Sequence, residues 1–331
     1  MYVYSAAQMA AVVTASRVAV VLAVAVPVCA CRPALPVHAA PALVRFSTGT
    51  PGGGFYPLGE GLARAYERSL QAVTLQINPT AGAVTNVEAI QRGDADLGFA
   101  FADVAYIAYV GRLDGATGPF DRLRGIAVMQ LTPVHLVVGR DSRLRQVGDL
   151  RGRRIGVGPP GSGTALTAGL ILQAFGIDES AVQVEQLQFN DAADRLVHGT
   201  LDAMFDTAIY PAASVTAATR AGARLMPLAG PPIERLRHDY PFLRVTVIPR
   251  DTYPGAVNTT RTIGVDSLLV CRRDLDETLV YDLTRRFFEA LPSLSSSQGA
   301  LRFIDLDQAP ATPIPLHDGA ARFYRERELL R

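Results

Sequence analysis

The sequence predicts an α/β protein of two similar lobes, each with a mostly parallel sheet flanked by helices, and three observations carry that prediction. A glycine-rich turn feeding a helix occurs in each half: Ser47-Thr48-Gly49-Thr50-Pro51-Gly52-Gly53-Gly54-Phe55-Tyr56-Pro57, and Gly158-Pro159-Pro160-Gly161-Ser162-Gly163-Thr164. In both halves a later helix stops at a glycine and turns at once into a short apolar strand, Gly93-Asp94-Ala95-Asp96-Leu97-Gly98-Phe99 and Gly199-Thr200-Leu201-Asp202-Ala203-Met204-Phe205. Between these landmarks strand-length apolar runs alternate with helical periodicity, the pattern of parallel sheets covered on both faces. Two such lobes, each presenting helix N-termini at one sheet edge, form a cleft that can hold an anion.

The 331 residues leave room for two domains of roughly 100–200 residues each. Half the chain is apolar and 32 basic residues nearly balance 31 acidic ones, scattered among each other, so no basic stripe for nucleic acid exists. Every basic residue is arginine. The absence of lysine removes Schiff-base chemistry, a pyridoxal phosphate anchor and a P-loop lysine, and no cofactor is expected.

Taken in order, the chain opens with Arg17 before the uncharged run 18–30, which suits an export signal and is shorter than a membrane span of about 20 residues. Two cleavage readings remain: a lipoprotein box, Val28-Cys29-Ala30-Cys31, and a small-residue site at Val37-His38-Ala39. Either one places the mature protein outside the cytoplasmic membrane, in the periplasm, with residues 1–40 as signal and linker. A strand over 43–47 precedes the first glycine turn, where Pro57 marks the start of a helix packing Leu58, Leu62, Ala65 and Tyr66 on the sheet. A strand over 74–77 passes through Thr80 and Gly82 into a helix closed by Gly93, and a third strand follows over 96–101. The run 126–139 is apolar except for Gln130, Thr132 and His135, which suits a long buried strand crossing between lobes with its polar interruption toward the cleft.

The second lobe follows with a strand over 154–157, the second glycine turn, an apolar helix over 165–175 and a strand over 182–187. Asn190 and Asp191 cap the next helix, and a strand over 201–205 delivers Asp206 and Thr207 to the sheet edge. Strands at 245–249 and 263–270 and a helix over 278–291 then return to the first lobe. The expected division is therefore 41–133 with 240–331 as lobe I and 134–239 as lobe II, joined by two crossings that act as a hinge.

The turn Gly158 to Thr164 has Walker A glycine spacing, but Thr164 stands where lysine is required, so nucleotide hydrolysis is excluded. What remains is an anion nest of the Gly161, Ser162, Gly163 and Thr164 amides, or else an ordinary tight turn. Gly52, Gly53 and Gly54 with Phe55 and Tyr56 offer amides and a ring face, or simply cover the sheet end. Asp103 and Asp206 at matching strand ends either meet a ligand or cap a helix. His135 is either a satisfied core histidine or a ligand contact. The other histidines lack metal-ligand spacing, and Cys271 ends an apolar run as a packed thiol. An enzyme using Asp103, Asp206 or His135 as acid or base stands as the rival from a different class.

At these same residues the chain resembles the TAXI family, the extracytoplasmic solute receptors of tripartite ATP-independent periplasmic (TRAP) transporters. The likeness runs from Ser47 through Gly59, through Gly93–Phe99 with Asp103-Val104-Ala105-Tyr106, through Gly158–Thr164, Ile248–Gly255 and Val280-Tyr281, to His317-Asp318-Gly319-Ala320 before Phe323-Tyr324. The resemblance implies a type II periplasmic binding protein fold, capture of a small organic anion or amino acid such as glutamate, and delivery to membrane permease subunits. It adds Thr48, Thr80 and Gly82 to the expected ligand contacts. Phe101-Ala102-Asp103 stands where members carry a polar Gln-Ser pair before the aspartate, and Ala81 and Ala83 where glycine and serine are common. Those departures point to a ligand with one carboxylate and a less polar body. A binding protein of the same kind that reports to a sensor is the alternative within the class.

Overall fold

The described residues of the computed structural model form ten strands joined in one continuous sheet. The structure describes residues 42–51, 53–70, 73–297 and 304–330. The export segment with both of its cleavage readings, and Gly52, lie outside the described residues. No helix among the described residues is long and apolar enough to cross a membrane.

Two parallel blocks flank an antiparallel centre. In the first lobe β1 (Ala42–Ser47) pairs in parallel with β2 (Val73–Asn78) and β3 (Leu97–Phe101). In the second, β5 (Arg154–Gly156) pairs in parallel with β6 (Gln183–Glu185) and β7 (Ala203–Thr207). Two long strands stand between them, β4 (Leu123–Val138) and β10 (Thr260–Arg272), with β8 (Arg224–Leu225) and β9 (Leu243–Ile248) at their flanks. This is a mixed α/β fold, two parallel blocks joined through long antiparallel strands, with helices packed on both faces.

The crossing strand β4 changes partners at a residue suited to the change. Through Pro133 it pairs with β10, and from Val134 onward it pairs with β7. Proline has no N–H to give a ladder, so it is tolerated where one ladder ends and the next begins. Its carbonyl still works, accepting from Ala208 N at 3.2 Å. Opposite it stands Gly264, where a Cβ would lie 2.8 Å from Leu131 Cγ. The crossing is thus packed too tightly there for any side chain.

Helices cover each sheet with the apolar faces their periodicity predicts. Over the first sheet lie α1 (Phe55–Ser69), α8 (Glu277–Ser297) and α9 (Asp318–Arg325), burying Leu58, Leu62, Tyr66, Phe287 and Phe323, while Tyr324 Oη donates to Ile126 O at 2.9 Å. The late helix therefore does rejoin the first lobe. The other face is closed by α2 (Ala83–Arg92) and α3 (Ala102–Tyr109). Around the second sheet lie α4 (Gly163–Ala174), α5 (Phe189–Val197), α6 (Ala213–Arg220) and α7 (Pro231–Asp239). α5 begins earlier than expected: Gln188 is its cap, without a side-chain bond, and Asn190 and Asp191 sit in its first turn. Cys271 is fully buried on β10, and burial pushes its thiol pKa well up.

The repeated glycine-to-strand segment has a structural reason in each lobe. Asp96 accepts from Arg45 N and Nε at 2.9 Å and from a terminal guanidinium nitrogen at 2.8 Å, and Asp96 N returns a bond to Arg45 O. Asp202 repeats the arrangement on Arg154 with bonds of 2.9, 3.1 and 3.0 Å. Each aspartate staples the first strand of its lobe to the third, and the guanidinium is engaged through two parallel bonds. Burial works against the charged Asp96, yet the Arg45 bonds hold its carboxyl below the usual range; Asp202 is held low chiefly by Arg154. Removing Asp96 strands a half-buried guanidinium in a drier place than removing Asp202, the two carboxylates being 6% and 28% exposed. Asp96→Ala is expected to cost about 2–3 kcal/mol and Asp202→Ala about 1 kcal/mol. Urea unfolding of the two variants checks the order, and equal losses contradict it.

Candidate functional site

Three helices begin around one cavity between the lobes. The first glycine turn leads from β1 into α1, with Gly53 N donating to Thr50 O at 2.8 Å, and the helix is capped by Gly54 without a side-chain bond. A second connection leads from β2 into α2 through Gly82, whose φ of 134° favours glycine and whose N–H donates to Thr80 Oγ1 at 3.1 Å. The second glycine turn leads from β5 into α4, where Ser162 Oγ accepts from Ala165 N at 3.2 Å. The first N–H groups of a helix have no partner within it and carry partial positive charge. Two of the three caps are glycines, which supply no oxygen. At α2 the third amide, Thr85 N, is taken by Gly161 O at 3.1 Å, and at α1 the third residue is Pro57, so two amides at each of these starts have no cap from a side chain.

The cavity has a volume of about 70 Å³, room for roughly five to seven waters. Gly53, Gly54 and Phe55 line it from the first turn, Gly82 from the second connection, Ser162, Gly163 and Thr164 from the second turn, and Thr207 from the end of β7. Phenylalanines 55, 101 and 189 form its apolar wall, Phe55 lying with ring centroids 5.1 Å from both Phe99 and Phe101. Gln130 and Thr132 of β4 and Ser267 of β10 form a polar floor, the two hydroxyls 2.7 Å apart. Among the described residues no Asp, Glu, Arg or His side chain lines it.

The remaining expected contacts lie elsewhere. Asp103 is fully buried in the first turn of α3, where its Oδ2 accepts from Thr167 Oγ1 of α4 at 2.6 Å and its Oδ1 from Val104 N at 2.7 Å. It joins the lobes. Asp206 is likewise buried, its Oδ2 taken by Ser214 Oγ at 2.5 Å. His135 points to the side of β4 opposite Gln130 and Thr132, as the two-residue period of a strand requires. Its Nδ1 lies 3.1 Å from Asp206 O and its Nε2 2.9 Å from Tyr253 Oη. A carbonyl only accepts, so Nδ1 carries the proton and Nε2 accepts from Tyr253, whose oxygen in turn accepts from Ala212 N at 2.9 Å. Burial pushes the His135 pKa down to about 4, so the ring is neutral. Thr48 and Thr80 do not line the cavity but hold its rim: Asn86 Nδ2 donates to Thr48 O at 2.6 Å and to Phe99 O at 2.8 Å, and Thr80 Oγ1 donates to Asn86 Oδ1 at 2.6 Å. Tyr56 and Gly161 also lie outside the lining.

The lobes meet directly beside the cavity. Thr85 N of α2 donates to Gly161 O at 3.1 Å across the cleft. A Cβ on Gly161 would lie 2.3 Å from Thr85 Oγ1, and one on Gly163 2.3 Å from Phe101 Cδ2. Sequence reasoning passed over Asn86, Phe189 and Ser267. Asn86 left a signal, a polar side chain on the helical face shared with Val87 and Ile90, whereas nothing local marks Phe189.

Burial pushes the Asp103 pKa up to about 6, against the pull of its bonds from Thr167 and Val104. A carboxyl raised on folding stabilises below its unfolded value near 4, and that contribution is lost as pH rises through about 6. Asp103→Asn cannot ionise, and its amide can still meet both Val104 N–H and Thr167 Oγ1. Its stability relative to the parent is therefore expected to rise between pH 4 and pH 7 by about 2–3 kcal/mol. Paired unfolding curves across that range check this, and a flat difference contradicts it.

Three solved structures share this architecture. MatC from Rhodopseudomonas palustris, with bound malate, matches with a TM-score of 0.55 and 14% identity over 88% of this chain and all of its own (100%). A protein from Bordetella bronchiseptica RB50 matches with a TM-score of 0.55 and 15% identity over 88% of this chain and 90% of that one. A structure described as a periplasmic transporter matches with a TM-score of 0.52 and 14% identity, covering 87% and 93%. At such identities the likeness is one of fold. A family model described as the NMT1-like family matches residues 46–327, from β1 to the end of α9 and through both halves of the site. The chain belongs to the NMT1-like family.

Proposed function

We propose that this protein is an extracytoplasmic solute receptor that closes its two lobes over a small organic anion and passes it to membrane permease subunits of the TRAP type, as the TAXI resemblance implies. One observation carries the reading: helix starts from both lobes, two of them capped only by glycine, surround a single cavity that among the described residues is lined by no charged side chain. A carboxylate there replaces its hydration with N–H groups at the positive ends of α1, α2 and α4, offsetting a desolvation of several kcal/mol. Bound malate in MatC and the periplasmic setting of another structural neighbour support the same class, and the export segment fits that location.

The lobe division belongs to this reading. Pro133, where β4 passes from β10 to β7, is one hinge point, and the return near residue 240 is the other. Closure brings Thr85 to Gly161 and Thr167 to Asp103, contacts that a permease can sense as a changed surface. The rival enzyme loses its acids and bases, because Asp103, Asp206 and His135 are engaged by protein groups away from the cavity.

The test is a melting-temperature screen of the mature chain against a broad panel of organic acids and amino acids, with a native mass spectrum of the protein as purified. At least one anion is expected to stabilise it by several degrees and to be recovered unaltered after incubation. Gly163→Ala places a methyl against Phe101 in the closed arrangement, and affinity for that ligand is expected to fall about tenfold or more, roughly 1.4 kcal/mol. No stabilisation by any member of the panel, or turnover of the bound acid, overturns the reading.

A further inference from the structure

The polar floor of the cavity selects more than a carboxylate. Gln130 is only 5% exposed, and neither its Oε1 nor its Nε2 finds a partner among the described protein groups. Thr207 Oγ1, also in the lining and buried but opposite Val134, four residues farther along β4, has none either. The neighbouring hydroxyls differ: Thr132 and Ser267 bond each other, and Thr164 Oγ1 accepts from Thr207 N at 3.2 Å. Buried amides are ordinarily satisfied, and one with both ends open in this cavity is complementary to a guest that donates and accepts at the same place.

Resting on the receptor reading above, we propose that the ligand is a small monocarboxylic acid with an apolar body whose far end carries an uncharged donor–acceptor group, a hydroxyl or a carboxamide, selected by Gln130. An ammonium at that end has no counter-charge. Asp103 and Asp206, the buried acids nearest in sequence to the lining, are turned to Thr167 and Ser214. The amino-acid alternative is thereby disfavoured. Phe55, Phe101 and Phe189 surround the body with apolar surface and leave no other polar demand along it. A site built to hydrogen-bond a substrate group rejects the analogue lacking it far more strongly than an apolar pocket rejects an added methylene.

Titration calorimetry with two matched series tests this: benzoate, 4-hydroxybenzoate, 4-carbamoylbenzoate and 4-(aminomethyl)benzoate; and butyrate, 4-hydroxybutyrate, succinamate and 4-aminobutyrate. In at least one series the hydroxyl or carbamoyl member is expected to bind at least tenfold tighter than both the unsubstituted and the ammonium member. Gln130→Leu is expected to abolish that advantage while raising the melting temperature of the ligand-free protein, since a buried unpaired amide is removed. Gln130→Asn, which keeps the amide but withdraws it by one methylene, provides an independent variant and is expected to reduce the same advantage. Best binding by the unsubstituted or ammonium member, an unchanged ranking in both variants, or no binding by either series overturns the inference. A hit in the broad panel above, recovered unaltered, leaves the receptor reading standing in each of those cases, whereas the loss of every anion removes both.

Discussion

The gathering of the starts of α1, α2 and α4 around one cavity is the constraint around which the rest of the molecule is arranged. A helix start is ordinarily finished by a serine, threonine or aspartate oxygen. Here Gly54 and Gly82 take that position at α1 and α2 and offer none. Only α4 is capped, and Ser162 reaches just the third amide, Ala165 N, leaving the first two. The glycines also let the lobes approach, since a Cβ on Gly161 or Gly163 would strike Thr85 or Phe101. One choice of residue therefore leaves amides open and permits closure over them.

Holding those helix starts in place demands a rigid frame beneath each one. The Arg45–Asp96 and Arg154–Asp202 staples fix first strand to third strand in each lobe, and so fix the sheet edge from which α1 and α4 depart. Asn86 ties the Thr48 and Phe99 carbonyls together under the first turn. His135, Tyr253 and Ala212 form a chain in which every donor has one acceptor, which pins the loop after β9 to the crossing strand without introducing charge. These networks are polar but closed. Their satisfied state contrasts with the open amide of Gln130.

Charge has been kept off the cavity and placed where the lobes meet or where each lobe is stapled. Asp103 and Asp206 lie close to the lining in sequence, yet each is buried against a hydroxyl, Thr167 and Ser214, with its pKa raised to about 6. A carboxylate facing the helix starts would occupy them itself and repel an anion. Asp103 is instead directed onto Thr167 of α4. The electrostatics of the site then come from backbone dipoles, which do not titrate.

The sequence by itself determined the doubled architecture, the alternation of strand and helix, the long crossing strand and the glycine turns, because each is written in local spacing that a chain segment obeys wherever it is packed. It also marked Gln130, Thr132 and His135 as the polar interruption of an apolar strand, and strand parity separates the first two from the third. α3, α6 and α7 were not anticipated. Their short alanine-bearing or proline-led segments give little period to read. Only the tertiary structure decided which polar groups are already satisfied: Thr167 stands 64 residues from Asp103 and Tyr253 118 residues from His135. Whether a buried side chain is spent on its neighbours or left for a guest depends on what the fold brings against it. That is a property of three-dimensional proximity, for which residue order carries no signal.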